Sequence, residues 1–187
     1  VPYDKDGNSV SLANAMELYV PVAFEELKQT AQTYGAFMTY KQLGDYVTTS
    51  TGIGYDATYR WVGGLLGPIV WMCVEQNLPP LTSLVVNSHD QSVGEGYAEN
   101  FRASGLPVPE GPDRLDILDD HAAASRLECY RFFGAELPFN GGIPMLTPRI
   151  KAARDVKRLK AKAEAPPKLC PVHRTVLPTT GRCDDCE

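Results

Sequence analysis

Between Tyr34 and Tyr97 the hydrophobic pattern changes period, and this constrains the fold more than any other stretch. The segments YGAFMTYKQLGDYV and YDATYRWVGGLLGPIVWMC carry apolar residues at helical spacing. The following NLPPLTSLVVNSHDQSVGEGY is an apolar run closed by glycines. Two amphipathic helices, an extended apolar stretch and a Gly-punctuated turn form the pattern of a helix-turn-helix with a wing. That pattern points to nucleic acid rather than to a small-molecule substrate.

Local signals place the elements. Residues 1–10 are polar and read as loop. Residues 11–33 read as helix, with Leu12, Met16, Tyr19, Val20, Phe24, Leu27 and Ala31 in register. Pro21 predicts a kink there, or a break into two short helices. Thr39 is suited to cap a helix from Tyr40 to Val47, since its hydroxyl can accept an orphan backbone N–H. Residues 48–54 read as a loop, and Asp56 as the cap of a second helix from Ala57 to about Gln76. Gly63, Gly64, Gly67 and Pro68 predict a bend after Leu66. Leu81 to Asn87 is the clearest predicted strand, following a Pro-Pro turn. Ser88 to Gly96 reads as a turn or wing tip. A helix from Leu115 to Phe133 presents Leu118, Ala122, Leu127, Cys129, Tyr130 and Phe133 as its core face. Residues 134–148 are irregular.

The C-terminus carries Cys170-x-x-His173 and Cys183-x-x-Cys186, nine residues apart. Each pair brings two ligands to one ion through a tight turn, and two such pairs complete a zinc tetrahedron. Four protein ligands leave no open position, so the site reads as structural zinc. The intervening RTVLPTTGR can form a hairpin turning at Thr180-Gly181. A module this small has no core of its own, so the metal supplies most of its folding energy.

The 187 residues suit one medium domain with an appendage, or two small domains. The sequence predicts a mainly α fold with a small β component: N-terminal helices (1–33), a winged helix-turn-helix (34–103), a loop and packing helix (104–148), a basic helix (149–168) and a zinc ribbon (169–187). No apolar run is long enough to predict a membrane span, and residues 1–15 lack the pattern of a signal peptide. Cys73 and Cys129 sit in apolar helical contexts and need no disulfide, which suits a reducing cytoplasm. Net charge is -5, but its distribution is uneven. Residues 1–148 hold 8 Lys+Arg and 18 Asp+Glu, whereas residues 149–168 hold 8 and 2. A basic helix is thus joined to an acidic body, and Lys151, Arg154, Lys157 and Arg158 are its candidate phosphate contacts. Docking on the acidic body and plain solvation are the other readings of that helix.

The stretch from Tyr34 resembles the C-terminal DNA-binding domain of O6-alkylguanine-DNA alkyltransferases and the alkyltransferase-like proteins. The resemblance rests on Thr39-Tyr40-Lys41-Gln42-Leu43, on Arg60-Trp61-Val62-Gly63, then Asn77, Leu78-Pro79-Pro80-Leu81 and Gly94-Glu95-Gly96-Tyr97 in order. It implies that Tyr40 helps rotate a nucleotide out of the duplex, that Arg60 fills the vacated stack and that Asn77 is a hinge. The likeness covers about a third of the chain. The catalytic Pro-Cys-His-Arg-Val is missing. Aligned from Asn77, its Cys falls on Val85, its His on Val86 and its Arg on Asn87, so alkyl transfer is lost.

The expected function is therefore non-enzymatic binding of nucleic acid, most of all duplex DNA, through Tyr40, Lys41, Arg60, Trp61, Asn77, Asn87 and the basic helix. The alternative is a protein-binding adaptor or inhibitor, of the kind phages encode, docking on a nucleic-acid enzyme. The tyrosines and tryptophans of this region would equally serve as ordinary core, and Arg60 would pair with Asp56 one helical turn away. No P-loop, Gly-x-Ser-x-Gly or dinucleotide fingerprint is present. His89 in the turn and His121 after Asp116, Asp119 and Asp120 remain as candidates for chemistry, with a solvated acidic helix as the bland reading of the latter.

Overall fold

The structure, a computed structural model, describes residues 1–55, 61–164, 169–177, 181–183 and 186. The chain divides into two compact units, Val1–Ile150 and Lys151–Glu187. The fold is mainly α, with six α-helices and four two-residue strands among the described residues. None of these helices is long and apolar enough to cross a membrane.

Helix α1 (Leu12–Thr30) starts where the Ser11 hydroxyl accepts the Asn14 N–H at 3.1 Å. Ala15, Tyr19, Ala23, Phe24 and Leu27 form its buried stripe. The break expected at Pro21 does not occur: α1 is one helix of 19 residues. Pro21 and Glu17 both lie on the exposed side, so the carbonyl that loses its amide partner meets water. The N-terminal stretch is not all loop. Strand β1 (Pro2–Tyr3) pairs antiparallel with β3 (Gly54–Tyr55). A methyl at Gly54 would stand 2.4 Å from the Tyr3 ring, so that close approach requires glycine.

Helix α2 (Tyr40–Thr51) opens with a capping box in which Thr39 accepts the Gln42 N–H and the Gln42 side chain accepts the Thr39 N–H. It runs a turn beyond Val47, because Thr48 and Thr51 donate back to the carbonyls of Gly44 and Val47, and it ends at Gly52 with φ 69°. The predicted cap at Asp56 and the first turn from Ala57 to Arg60 lie outside the described residues. Helix α3 (Val62–Glu75) carries no break after Leu66. Pro68 sits inside it on the exposed side, as Pro21 does in α1.

The largest correction concerns Leu81 to Asn87. In place of a strand, residues Leu81–Leu84 form a 3-10 turn, followed by β4 (Val85–Val86), which pairs in parallel with β2 (Met38–Thr39). All six residues are buried. Their apolar, β-branched character reflects burial on all sides, which fits either period in so short a run. Residues 88–97 make a turn and a second 3-10 turn (Glu95–Ala98), and Leu81 to Tyr97 forms no antiparallel wing hairpin. Helices α4 (Glu99–Ala103) and α5 (Arg114–Phe132) follow. Leu118, Ala122, Leu127, Cys129 and Tyr130 are buried on α5, with Phe133 half-buried just beyond it.

One core joins α1, α2, α3, the first 3-10 turn and the end of α5, so residues 1–33, 34–103 and 104–148 share a unit. Tyr19, Tyr55 and Trp61 stack at its edge, with centroid separations of 4.9 and 5.2 Å, and the Tyr19 hydroxyl donates to the Ile53 carbonyl at 2.9 Å. Buried Arg126 on α5 donates to the carbonyls of Ser83 at 2.9 Å and Met145 at 3.1 Å. Replacing Arg126 with Met would orphan both carbonyls. The expected loss is roughly 2–4 kcal/mol of unfolding free energy, read by urea denaturation; an unchanged midpoint would refute this role.

Candidate metal centre and ligand cavity

In the second unit, a bridge between Leu169 and Val176 closes a tight turn around Cys170 to Thr175. The Cys170 N–H donates to the Thr175 carbonyl at 2.8 Å, and Arg174 adopts φ 56° at the corner. This folds His173 back over Cys170, whose sulfur accepts the His173 N–H at 3.4 Å. Cys183 and Cys186 close the group, so the four potential ligand atoms lie within 4.8 Å of one another. His173 Nδ1 is 3.8, 3.6 and 3.4 Å from the sulfurs of Cys170, Cys183 and Cys186, and Cys170 and Cys186 are 3.6 Å apart. These residues are close enough to hold a metal ion. The His173 amide holds the Cys170 thiol down at about 6, while the neighbouring Cys170 sulfur pushes Cys186 up to about 11. The predicted turn at Thr180 lies outside the described residues.

Just before this module, α6 (Pro148–Glu164) has no buried residue. At 100° per residue, Lys151, Arg154, Lys157 and Arg158 fall within about 120° of its circumference. Arg158 pairs with Asp155 at 3.1 Å.

The remaining predicted contacts scatter. Lys41 is exposed on α2 and pairs with Asp45 at 2.7 Å. Trp61 is buried in the Tyr19–Tyr55 stack, so it serves the core and has no face left for nucleic acid. Asn77 adopts φ 53° where the chain leaves α3, and it is exposed. Asn87 is folded into its own turn, its amide donating to the Ser92 hydroxyl at 3.0 Å. Arg60 lies outside the described residues.

Tyr40 is the exception, because it lines a cavity of about 980 Å3. One wall is α3, with Gly63, Leu66, Gly67 and Val70; another is Thr82 and Val85; the third runs from Gly94 to Asn100. Val85 therefore faces this space. The Tyr40 hydroxyl bonds the Gly94 backbone, and burial raises its pKa. A side chain at Gly94 would stand 2.8 Å from that hydroxyl. The residues from Gly94 to Asn100 were not singled out as a wall from sequence; the signal was the Gly63/Gly67 spacing, which strips one face of α3 of side chains.

Behind that wall, Tyr97 links two cavities. Its hydroxyl lies 2.9 Å from His121 Nδ1 and 3.2 Å from the Ser125 hydroxyl, to which it can donate. His121, Ser125, Glu128, Asn77 and Cys73 line a second cavity of about 400 Å3. His121 packs on Phe101 at a centroid distance of 4.4 Å, so it is part of the packed body rather than a solvated helix face. Asp119, buried beside it in sequence, accepts the Val93 N–H at 2.9 Å. His89 sits in an exposed turn, where its carbonyl accepts from Arg149. Burial pushes the Cys129 thiol up to about 12 and raises that of Cys73, so neither supplies a thiolate nucleophile.

Comparison with protein-family models, curated proteins and solved structures finds no match to this chain. The geometry alone must carry the functional reading.

Burial lowers the His121 pKa below 6.5, against the opposing charge of Glu128. The unfolded chain therefore binds this proton first as pH falls. The stability held by neutral His121 is complete above about 6.5 and declines as pH drops through the lower folded value. His121→Gln is expected to flatten the fall in stability below about pH 6.5, and an imidazole NMR titration should place the His121 midpoint below 6.5. A midpoint above it would overturn this assignment.

Proposed function

We propose that this chain binds nucleic acid, duplex DNA above all, without catalysing a reaction on it. The observation that carries this reading is α6: a 17-residue helix with seven Lys and Arg, two acids and no buried residue. A helix of this kind has no core role, and its charge suits a polyphosphate surface. Helices α2 and α3, with Tyr40 over its cavity, supply a helix-turn-helix scaffold and space for an extruded base. The loss of the thiol at Val85 fits binding without alkyl transfer.

The ion in the second unit is structural zinc in this reading. Zn–S near 2.3 Å and Zn–N near 2.0–2.1 Å give tetrahedral edges of about 3.8 Å between sulfurs and about 3.6 Å between sulfur and nitrogen. Four of the six ligand separations, 3.4–3.8 Å, match such edges, and all six lie within 4.8 Å. Three thiols and one imidazole are also the donor set zinc prefers. One equivalent of zinc per chain should be found by metal analysis. Because thiols must lose protons to bind it, affinity should rise with pH across the neutral range; His173→Ala should weaken retention in competition with a chelator. Metal-free chain with an unchanged NMR spectrum for Cys170 to Cys186 would sink the structural role.

A second reading, a protein-binding adaptor, is favoured by the charge of the first unit, where residues 1–150 hold 9 Lys+Arg and 18 Asp+Glu. The two readings part on one measurement. Duplex affinity is compared at two salt concentrations for the full chain and for residues 1–150. The nucleic-acid reading expects a salt-steep affinity that loses about one unit of log–log slope for each phosphate contact removed with α6. Salt-independent capture of a single protein, with no duplex affinity in either form, would establish the adaptor instead.

A further inference from the structure

Arg126 carries its charge into the interior of the first unit, where only 4% of the residue is exposed. A charge withdrawn from water is ordinarily matched by an opposite one. The partners of Arg126 are instead two carbonyl dipoles, Ser83 at 2.9 Å from Nη1 and Met145 at 3.1 Å from Nη2. None of the ion pairs among the described residues includes it. Asp119, two turns back on α5 and also buried, is the carboxylate whose charge reaches it, and that side chain accepts the Val93 N–H. A guanidinium presents five N–H donors, so the two carbonyls leave it protons to give. Burial accordingly pushes the Arg126 pKa down from its ordinary value.

Beside this group lies a cavity of about 130 Å3. Arg126 is the only ionic group among its described lining residues, which include Gly35, Phe37, Tyr130, Leu146 and Thr147. The Tyr130 hydroxyl donates to the Ala36 carbonyl at 2.7 Å, and the Thr147 hydroxyl donates to the Gln91 carbonyl at 2.8 Å. Both hydroxyl protons are thus committed, and the donor with protons to spare is the guanidinium. The remaining wall is ring and aliphatic surface, where a charge acts over a low dielectric. A cation entering here would meet a like charge and no carboxylate in the wall. Size narrows the choice further. A water molecule occupies about 30 Å3, so the space holds a halide with a water beside it, or one oxyanion. It has no room for a phosphodiester flanked by its sugars.

We infer that this cavity binds a small free inorganic anion, a halide or a single oxyanion, held by the uncommitted N–H groups of Arg126. The ion supplies the counter-charge that the carbonyls do not. It also strengthens the junction at which α5 holds Ser83 and Met145. The site does not depend on the nucleic-acid reading, and duplex affinity of either sign leaves it untouched.

The test uses the full chain and two probes, chloride and bromide. Its melting temperature is followed as sodium chloride replaces sodium gluconate at constant ionic strength, gluconate being too large for the space. A specific site predicts a rise of about 3–5 °C for each tenfold of chloride beyond half-occupancy. Leu146→Trp fills the cavity while keeping Arg126, and should remove that rise; Arg126→Met should remove it too, from a lower starting temperature. If neither variant folds, the unaltered chain still decides the matter. Crystals soaked in sodium bromide should show an anomalous peak within about 3.5 Å of an Arg126 N–H nitrogen. No peak there, a chloride effect linear in concentration, or one that survives in folded Leu146→Trp would each overturn the inference. A bromide peak without chloride dependence in solution would mean binding at crystal concentration only, and would overturn it as well.

Discussion

Six consecutive buried residues, Leu81–Val86, run through the first unit, and the other elements are arranged around their needs. A buried backbone must pair its polar groups internally. Here β2 pairs with Val85 and Val86, Arg126 bonds the Ser83 carbonyl, and the Ser83 N–H turns back to Pro80 at 3.0 Å. The Thr82 side chain is met by Asn100, and the Ser83 hydroxyl lies 3.9 Å from the Cys129 sulfur. These partners lie on both sides of the segment in sequence, from Met38 to Cys129. The segment is thus what makes one body of helices that the sequence divides into three stretches.

The same segment explains what was and was not legible in the sequence. Helices α1, α5 and α6 were readable because each has a long apolar or charged stripe, or a run of strong helix formers, with few competing signals. The Thr39 cap was readable because capping is a local interaction. Residues Leu81–Leu84 were not, since total burial erases the alternation that separates strand from turn. The prolines at 21 and 68 misled for a related reason: whether a missing hydrogen bond breaks a helix depends on which side of it faces water. Trp61 looked like a contact residue only until its neighbours Tyr19 and Tyr55 were placed around it.

Of the candidate sites, the metal cluster was written plainly in the sequence, because its spacing is the geometry. Cys170 and His173 meet through one tight turn, and Cys183 and Cys186 join them. The cavity was half-written. Tyr40 and the Gly94 to Tyr97 turn could be named in order, but the wall they share with α3 needs the parallel pairing of β2 with β4 to bring them together. The link from Tyr97 to His121 and Ser125 joins the second 3-10 turn to α5 and left no sequence pattern at all.

The central placement of Leu81–Leu84 also bears on how the chain is made. It packs on α1, synthesised early, and on α5, synthesised much later. The turn itself cannot finish burying its side chains until α5 has left the ribosome. Until then the Ser83 carbonyl lacks its Arg126 partner. Long-range contacts of this kind slow folding relative to a bundle of sequential hairpins. The interval between the emergence of Leu81–Leu84 and that of α5 is when this buried backbone is least satisfied.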